Sequence, residues 1–364
     1  MTTRTLLLRL AAPALALIAS ATLTACAPDQ GAARAALSSA RAASATPLAP
    51  VTTIADGLDA PWSIAFHGRT ALVSGRDTAR VVEIGERGAV RQVGVIEAVT
   101  PMGEGGLLGI AVRNGFLYAY YTANDGNRIE RFELTGTPGR LGLGRSSTVL
   151  DRLPSASYHN GGRIAFGPDG MLYATVGDAG DRPAAQDKNT LAGKILRMTP
   201  EGKVPPDNPF AGSLVYSFGH RNPQGIAWDS GGTLYASEFG QDTWDELNVI
   251  RPGGNYGWPE VEGIAGRDGF TDPVQQWPPA EASPSGMAIT NGTIYLANLR
   301  GRLLRQIPLD RLSTSTQHLA GRYGRLRDAV VAPDGSLWVL TNNTDGRGTP
   351  GPGDDRILRV AIGG

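Results

Sequence analysis

The 364-residue sequence predicts an all-β fold, a six-bladed β-propeller, over residues 50–364. A module recurs six times, charge alternates at period two in the strands after it, and turn residues separate the strands. Each module is a short apolar strand, a turn, and a second strand that in most copies carries an aromatic residue. Its copies are residues 63–66 with 71–73, 109–112 with 116–118, 163–166 with 171–173, 225–228 with 233–235, 286–289 with 293–295, and 328–331 with 336–338. Taking Ile64, Ile110, Ile164, Ile226, Met287 and Ala329 as equivalent, the intervals are 46, 54, 62, 61 and 42 residues. Such intervals exceed a solenoid turn and suit four short antiparallel strands with loops.

Third strands follow several copies, as in Arg128-Ile129-Glu130-Arg131-Phe132, Lys194-Ile195-Leu196-Arg197-Met198 and Leu303-Leu304-Arg305-Gln306-Ile307. Gly167-Pro168-Asp169-Gly170 and Ala332-Pro333-Asp334-Gly335 are turns, proline presetting φ and glycine accepting φ > 0. Pairing of residues 51–54 with 356–360 is expected to close the ring and leave no open edge. The competing architecture is a pair of β-sandwiches.

Ahead of the repeats stands an address. Residues 1–25 read as a lipoprotein signal peptide, with Arg4 and Arg9 beside an apolar stretch that ends in the lipobox Leu23-Thr24-Ala25-Cys26. Cys26, the single cysteine of the chain, becomes the lipidated N-terminus, and residues 26–49 form a flexible tether rich in alanine and serine. An ordinary secretory signal is the alternative. The expected location is the extracytoplasmic face of a bacterial membrane, held by the lipid anchor only.

Composition removes other classes. The 34 Lys and Arg balance 34 Asp and Glu, so no net field gathers nucleic acid. The four histidines, His67, His159, His220 and His318, are far apart and none has HExxH spacing, which disfavours zinc. The sequence lacks a P-loop, a GxGxxG after a strand and a GxSxG elbow.

Polar and unusual residues collect between Ile164 and Met287 and just before, next to core strands and so at one face of the ring. His159, followed by glycines, can serve as a general base near neutral pH. Arg221 and Asn222, the latter held extended by Pro223, offer donors for carboxylate or quinone oxygens. Asp178 or Asp245 can orient the histidine or bind a cation. Arg325 and Arg327 make either a solvated edge or an anion clamp opposite Arg221.

The runs His159-Asn160-Gly161-Gly162-Arg163-Ile164, Gly219-His220-Arg221-Asn222-Pro223-Gln224-Gly225 and Gly253-Gly254-Asn255-Tyr256-Gly257-Trp258-Pro259 carry a resemblance. So do Gly105-Gly106-Leu107-Leu108-Gly109 and Arg325-Leu326-Arg327-Asp328. Over about residues 50 to 362 the chain resembles the pyrroloquinoline quinone (PQQ) dependent soluble glucose dehydrogenases and aldose sugar dehydrogenases. The resemblance implies a propeller holding PQQ with a calcium ion and oxidising aldoses at C1 to lactones. His159 matches the base that takes the C1 hydroxyl proton, Asp178 the aspartate that orients it, and Arg221 the arginine beside the reacting carbonyl. Asn222, Arg300, Arg325, Arg327 and Gln186 match cofactor-contacting positions, Arg300 standing where the family usually has a lysine. Gly240 and Gln241 fall where backbone carbonyls ligate calcium, with Asp245 a nearby acidic partner.

The chain departs from the family pattern at several of these places. Phe239 replaces a polar residue, Gln241 a proline and Tyr158 a sugar-facing aspartate, while Glu104 stands near a substrate-contacting glutamine. The family's PQQ-contacting threonine has no match around residues 280–285. The competing function is a non-catalytic extracytoplasmic propeller that binds carbohydrate or protein. Convergence of His159, Arg221, Arg325 and Arg327 on one cavity separates the two. A propeller lactonase would need an ordered set of calcium-binding carboxylates, which the sequence lacks. The electron acceptor is left open.

Overall fold

A computed structural model describes residues 50–362; the signal peptide, Cys26 and the tether lie outside the described residues. The 24 strands form six four-stranded antiparallel sheets. Five sheets are meanders of consecutive strands, which start at Pro61, Leu107, Ile164, Pro223 and Pro284. They make up blades 1 to 5. Blade 6 is assembled from both ends of the fold, Leu326–Val331, Leu337–Thr341 and Ile357–Val360 being completed by Val51–Ala55. The closing register pairs Val51 with Val360, Thr52 with Arg359 and Thr53 with Leu358. Besides strands, the described residues hold only three short 3-10 turns. The propeller expectation is met, blade count and closing strand included.

The repeat is visible in the core. All six anchors, from Ile64 to Ala329, lie on the first, innermost strand of a blade, and these strands touch their neighbours around the whole ring. On the second strands Leu72, Leu117, Leu172, Leu234, Ile294 and Leu337 occupy matching places and are all buried. Each blade is covered on both faces by its neighbours, so these strands are apolar almost throughout; Leu172–Val176 has every residue buried. The two Pro-Asp-Gly turns close as expected. Gly170 (φ +80°) donates to the Gly167 carbonyl at 2.9 Å and Gly335 (φ +81°) to that of Ala332 at 2.8 Å.

One topological rule positions the site. In an antiparallel meander the start of the first strand and the end of the second lie at the same end of the blade. The loops before Leu107, Ile164, Pro223 and Leu326, and those after Gly75, Val176, Glu238, Asn298 and Thr341, therefore open at one mouth of the channel. Every candidate site residue named above, from His159 to Arg327, falls in or next to these loops.

Candidate active site

A cavity of about 380 Å³ opens among these loops. Five arginines, Arg76, Arg300, Arg325, Arg327 and Arg347, line it against two carboxylates, Glu104 and Asp345. Trp62 and Phe239 supply flat apolar surface. The cavity is thus cationic although the whole chain is neutral, a setting suited to a planar, multiply anionic guest.

Its floor joins blades across the channel. The buried Arg163 guanidinium stacks over Trp62 at 4.2 Å. It donates to Asp328 Oδ2 at 2.9 Å, Ser63 Oγ at 3.1 Å and the Gln224 carbonyl at 3.0 Å. Arg327, also buried, donates to Asn342 Oδ1 and to Gln224 Oε1. Arg325 reaches Asp345 at 3.0 Å. Neither Arg325 nor Arg327 is a solvated edge: both line the cavity, as do their partners Asp345 and Gln224.

His159 is not among the lining residues; its backbone N–H donates to Glu104, which is, and its backbone lies in the left-handed region (φ +57°). Gly177 allows this, because a Cβ there would lie 1.9 Å from the His159 carbonyl oxygen. His159 Nδ1 contacts Asp178 Oδ1 at 2.7 Å. Asp178 also accepts the Gly180 N–H at 2.8 Å and the Trp258 indole N–H at 2.9 Å. Burial works to raise the Asp178 pKa, but these three donors hold it below the ordinary value. An ionised carboxylate only accepts, so Nδ1 carries a proton, and in the neutral imidazole Nε2 is then the acceptor. Of the two carboxylates open as orienting groups, Asp178 touches the histidine. Asp245 instead accepts the N–H groups of Gly240 at 2.9 Å and Ser283 at 2.6 Å.

Arg221 adjoins the cavity through Phe239, whose carbonyl accepts its Nη1 at 3.1 Å. Its guanidinium also lies over the Trp258 ring, 5.4 Å from the centroid. Glu238 accepts the backbone N–H of Arg221 and, at 3.3 Å, that of Asn222. The other Glu238 oxygen contacts His220 Nδ1 at 2.8 Å, and the buried His220 ring stacks on Tyr256. His220 is therefore a brace for Arg221 and Asn222. Asn222 Oδ1 accepts the Gly161 N–H at 3.0 Å, which ties the two long motifs together. Gln186 lies apart from the cavity lining, exchanging hydrogen bonds with Asn255 and donating to the Trp258 carbonyl.

At the 239–245 turn, Glu262 Oε1 accepts the N–H groups of Gln241, Thr243 and Trp244. The Gly240 and Gln241 carbonyls accept no hydrogen bond among the described residues. No group of three or more His, Cys, Asp or Glu among the described residues is placed to hold a metal, so a cation at this turn would rest on those carbonyls.

Several lining residues carried no signal in the sequence. Arg76, Asp345 and Arg347 follow second strands in blades 1 and 6, outside the motif-rich stretch, and only the ring geometry brings them to the mouth. Gln224 and Trp258 sit inside the quoted motifs, and their partners follow only from the fold.

A family model for glucose/sorbosone dehydrogenases matches residues 58–358. The chain belongs to the glucose/sorbosone dehydrogenase family. Membership places it among the oxidoreductases. It is 31% identical to aldose sugar dehydrogenase YliI of Escherichia coli over 81% of this chain and 91% of that one. To quinoprotein glucose dehydrogenase B of Acinetobacter calcoaceticus it is 33% identical, over 54% of this chain and 49% of that one. The solved PQQ-bound aldose sugar dehydrogenase of Streptomyces coelicolor superposes with a TM-score of 0.82 at 49% identity, covering 86% of this chain and 99% of that one.

The glucose/sorbosone dehydrogenase site also passes a chemical test for a carboxylated quinone. Arg221 Nε, Arg325 Nε and Asn222 Nδ2 are buried donors with no partner among the described residues. Native proteins seldom leave such groups unsatisfied. Arg325 lines the 380 Å³ cationic cavity, and Arg221 and Asn222 each hydrogen-bond the backbone of its wall residue Phe239, so these donors fit a flat guest rich in oxygen acceptors.

Proposed function

We propose that this chain is a PQQ-dependent sugar dehydrogenase that oxidises aldoses at C1 to lactones, with His159 as general base. The observation that carries the reading is the His159–Asp178 contact, joined through Glu104 to a cavity lined by five arginines. When bound, PQQ would supply the hydride acceptor and a calcium ion, held by the Gly240 and Gln241 carbonyls, would supply a polarising charge. The chain's own residues do the rest. Asp178 holds the tautomer in which His159 Nε2 accepts the C1 hydroxyl proton, and Trp258 and Gly180 keep Asp178 ionised. Arg325 and Arg327 would hold the cofactor's carboxylates and Arg300 would contact it, while Arg221 and Asn222, braced by Glu238, would donate to it. Arg163 and Asp328 tie their blades together across the channel.

Dye-linked aldose oxidation by the purified protein, with and without PQQ and calcium, tests this reading. Activity that requires both supports it. Absence of turnover together with absence of PQQ binding favours the alternative of a binding propeller. His159→Ala is expected to lower kcat by about 10²- to 10⁴-fold while PQQ binding, read by absorbance titration, persists.

The same proposal places the propeller at the extracytoplasmic membrane face, lipidated at Cys26. Among the described residues no helix is long and apolar enough to cross a membrane. Cys26→Ala is expected to move the protein from the membrane fraction to the soluble one. Retention in the membrane would overturn the lipid anchor.

A further inference from the structure

Glu104 engages two groups at once. Its Oε2 accepts the backbone N–H of His159 at 3.1 Å, and its Oε1 accepts Arg347 Nη1 at 2.7 Å. The Glu104 N–H in turn donates to the Ser157 carbonyl at 2.8 Å. Gly103 fits so closely that a Cβ there would lie 2.2 Å from the same oxygen. The loop before blade 2 is thus clamped along the loop that carries His159.

The clamp falls where the backbone needs it. A non-glycine residue at φ +57° sits in a region that costs about 1 kcal/mol or more and persists only when its surroundings hold it. On the carbonyl side His159 is held by the Ala179 N–H at 3.2 Å and by the close approach of Gly177. On the amide side the acceptor is the Glu104 carboxylate. Burial alone would raise the Glu104 pKa, yet the His159 N–H and Arg347 bring it below the ordinary value. The hydrogen bond to His159 is therefore charge-assisted at neutral pH. Each carboxylate oxygen already serves a protein group, which is a different task from touching a sugar.

We infer that Glu104 is a positioning residue for His159: its carboxylate fixes the backbone that carries the imidazole, and Arg347 fixes the carboxylate. This rests on the reading of His159 as the base.

The test uses the PQQ- and calcium-loaded protein labelled with ¹⁵N-histidine. The chain has only four histidines, so the His159 amide gives one of four signals, and the buried His220 is an internal control for folding. Glu104→Ala is expected to speed exchange of the His159 amide about tenfold or more, with the His220 rate unchanged. kcat should fall about 10- to 100-fold while KM for the aldose stays within about threefold. Glu104→Gln keeps an oxygen acceptor and is expected to restore both the protection and most of kcat. Should Glu104→Ala not fold, Glu104→Asp, one methylene short of spanning His159 and Arg347, is expected to lose the same protection. An unchanged His159 exchange rate in the Ala or Asp variant overturns the inference. So does a loss carried by KM instead of kcat, which would make Glu104 a sugar contact. Failure of the base assignment would appear separately, as His159→Ala retaining wild-type kcat while Glu104 still protects the amide.

Discussion

Asp178 receives three donors from three directions: the His159 imidazole, the Gly180 amide and the Trp258 indole. Its pKa is depressed in the folded chain, so the unfolded chain binds its proton first as pH falls. The stabilisation is fully present above pH ~4 to 5 and is lost as pH falls through the depressed folded value. Asp178→Asn is expected to lower kcat by about 10²-fold or more, because an amide can present its N–H to Nδ1 and reverse the tautomer. In urea unfolding the gap between wild type and this variant should narrow below pH ~4. A gap that widens below pH ~4 would contradict the depressed pKa. At this scale the sequence was partly legible. His159 and Arg221 stand in long, distinctive runs, whereas residue type alone left Asp178 and Asp245 both open for orienting the histidine; the resemblance chose Asp178, and the fold puts it against Nδ1 and Asp245 against two backbone amides.

The strands were legible because a blade covered on both faces needs apolar residues at recurring places, and six copies make the pattern self-confirming. Leu172, on the second strand of blade 3, is fully buried. Its truncation removes packing on a strand with no solvent-facing residue. Leu172→Ala is expected to destabilise the protein by about 2 to 5 kcal/mol with little change in KM, as measured by chemical denaturation and steady-state kinetics. A cost below about 1 kcal/mol would mean that the neighbouring blade collapses into the space. The loops were less legible. Hydrophobic period reports which face of a strand is covered, and says nothing about which loop tip leans over the channel. Arg76, Asp345 and Arg347 therefore entered the site unannounced, and Gln186, named as a cofactor contact, is engaged with Asn255 and Trp258.

The ring as a whole depends on one short pairing of its two ends, Val51–Ala55 against Ile357–Val360. Deleting residues 50–55 exposes the edge of blade 6 and is expected to lower Tm by about 10 °C and to promote association through the freed strand. An unchanged Tm and a monodisperse protein would show that the remaining three strands suffice. Ligand linkage acts on the same scale. PQQ with calcium at about a hundredfold excess over Kd should add ~2.7 kcal/mol to the unfolding free energy. Arg327→Met should remove most of that increment, which scanning calorimetry reads directly. Repetition, strand period and turn residues, all local in the chain, were enough to specify six blades, their order and the strand that closes them. Motif runs were enough to mark the family and its histidine. The cationic cavity and the clamp of Glu104 and Arg347 on the His159 loop required the closed ring, because those groups come from different blades and meet only where the loops converge around one axis.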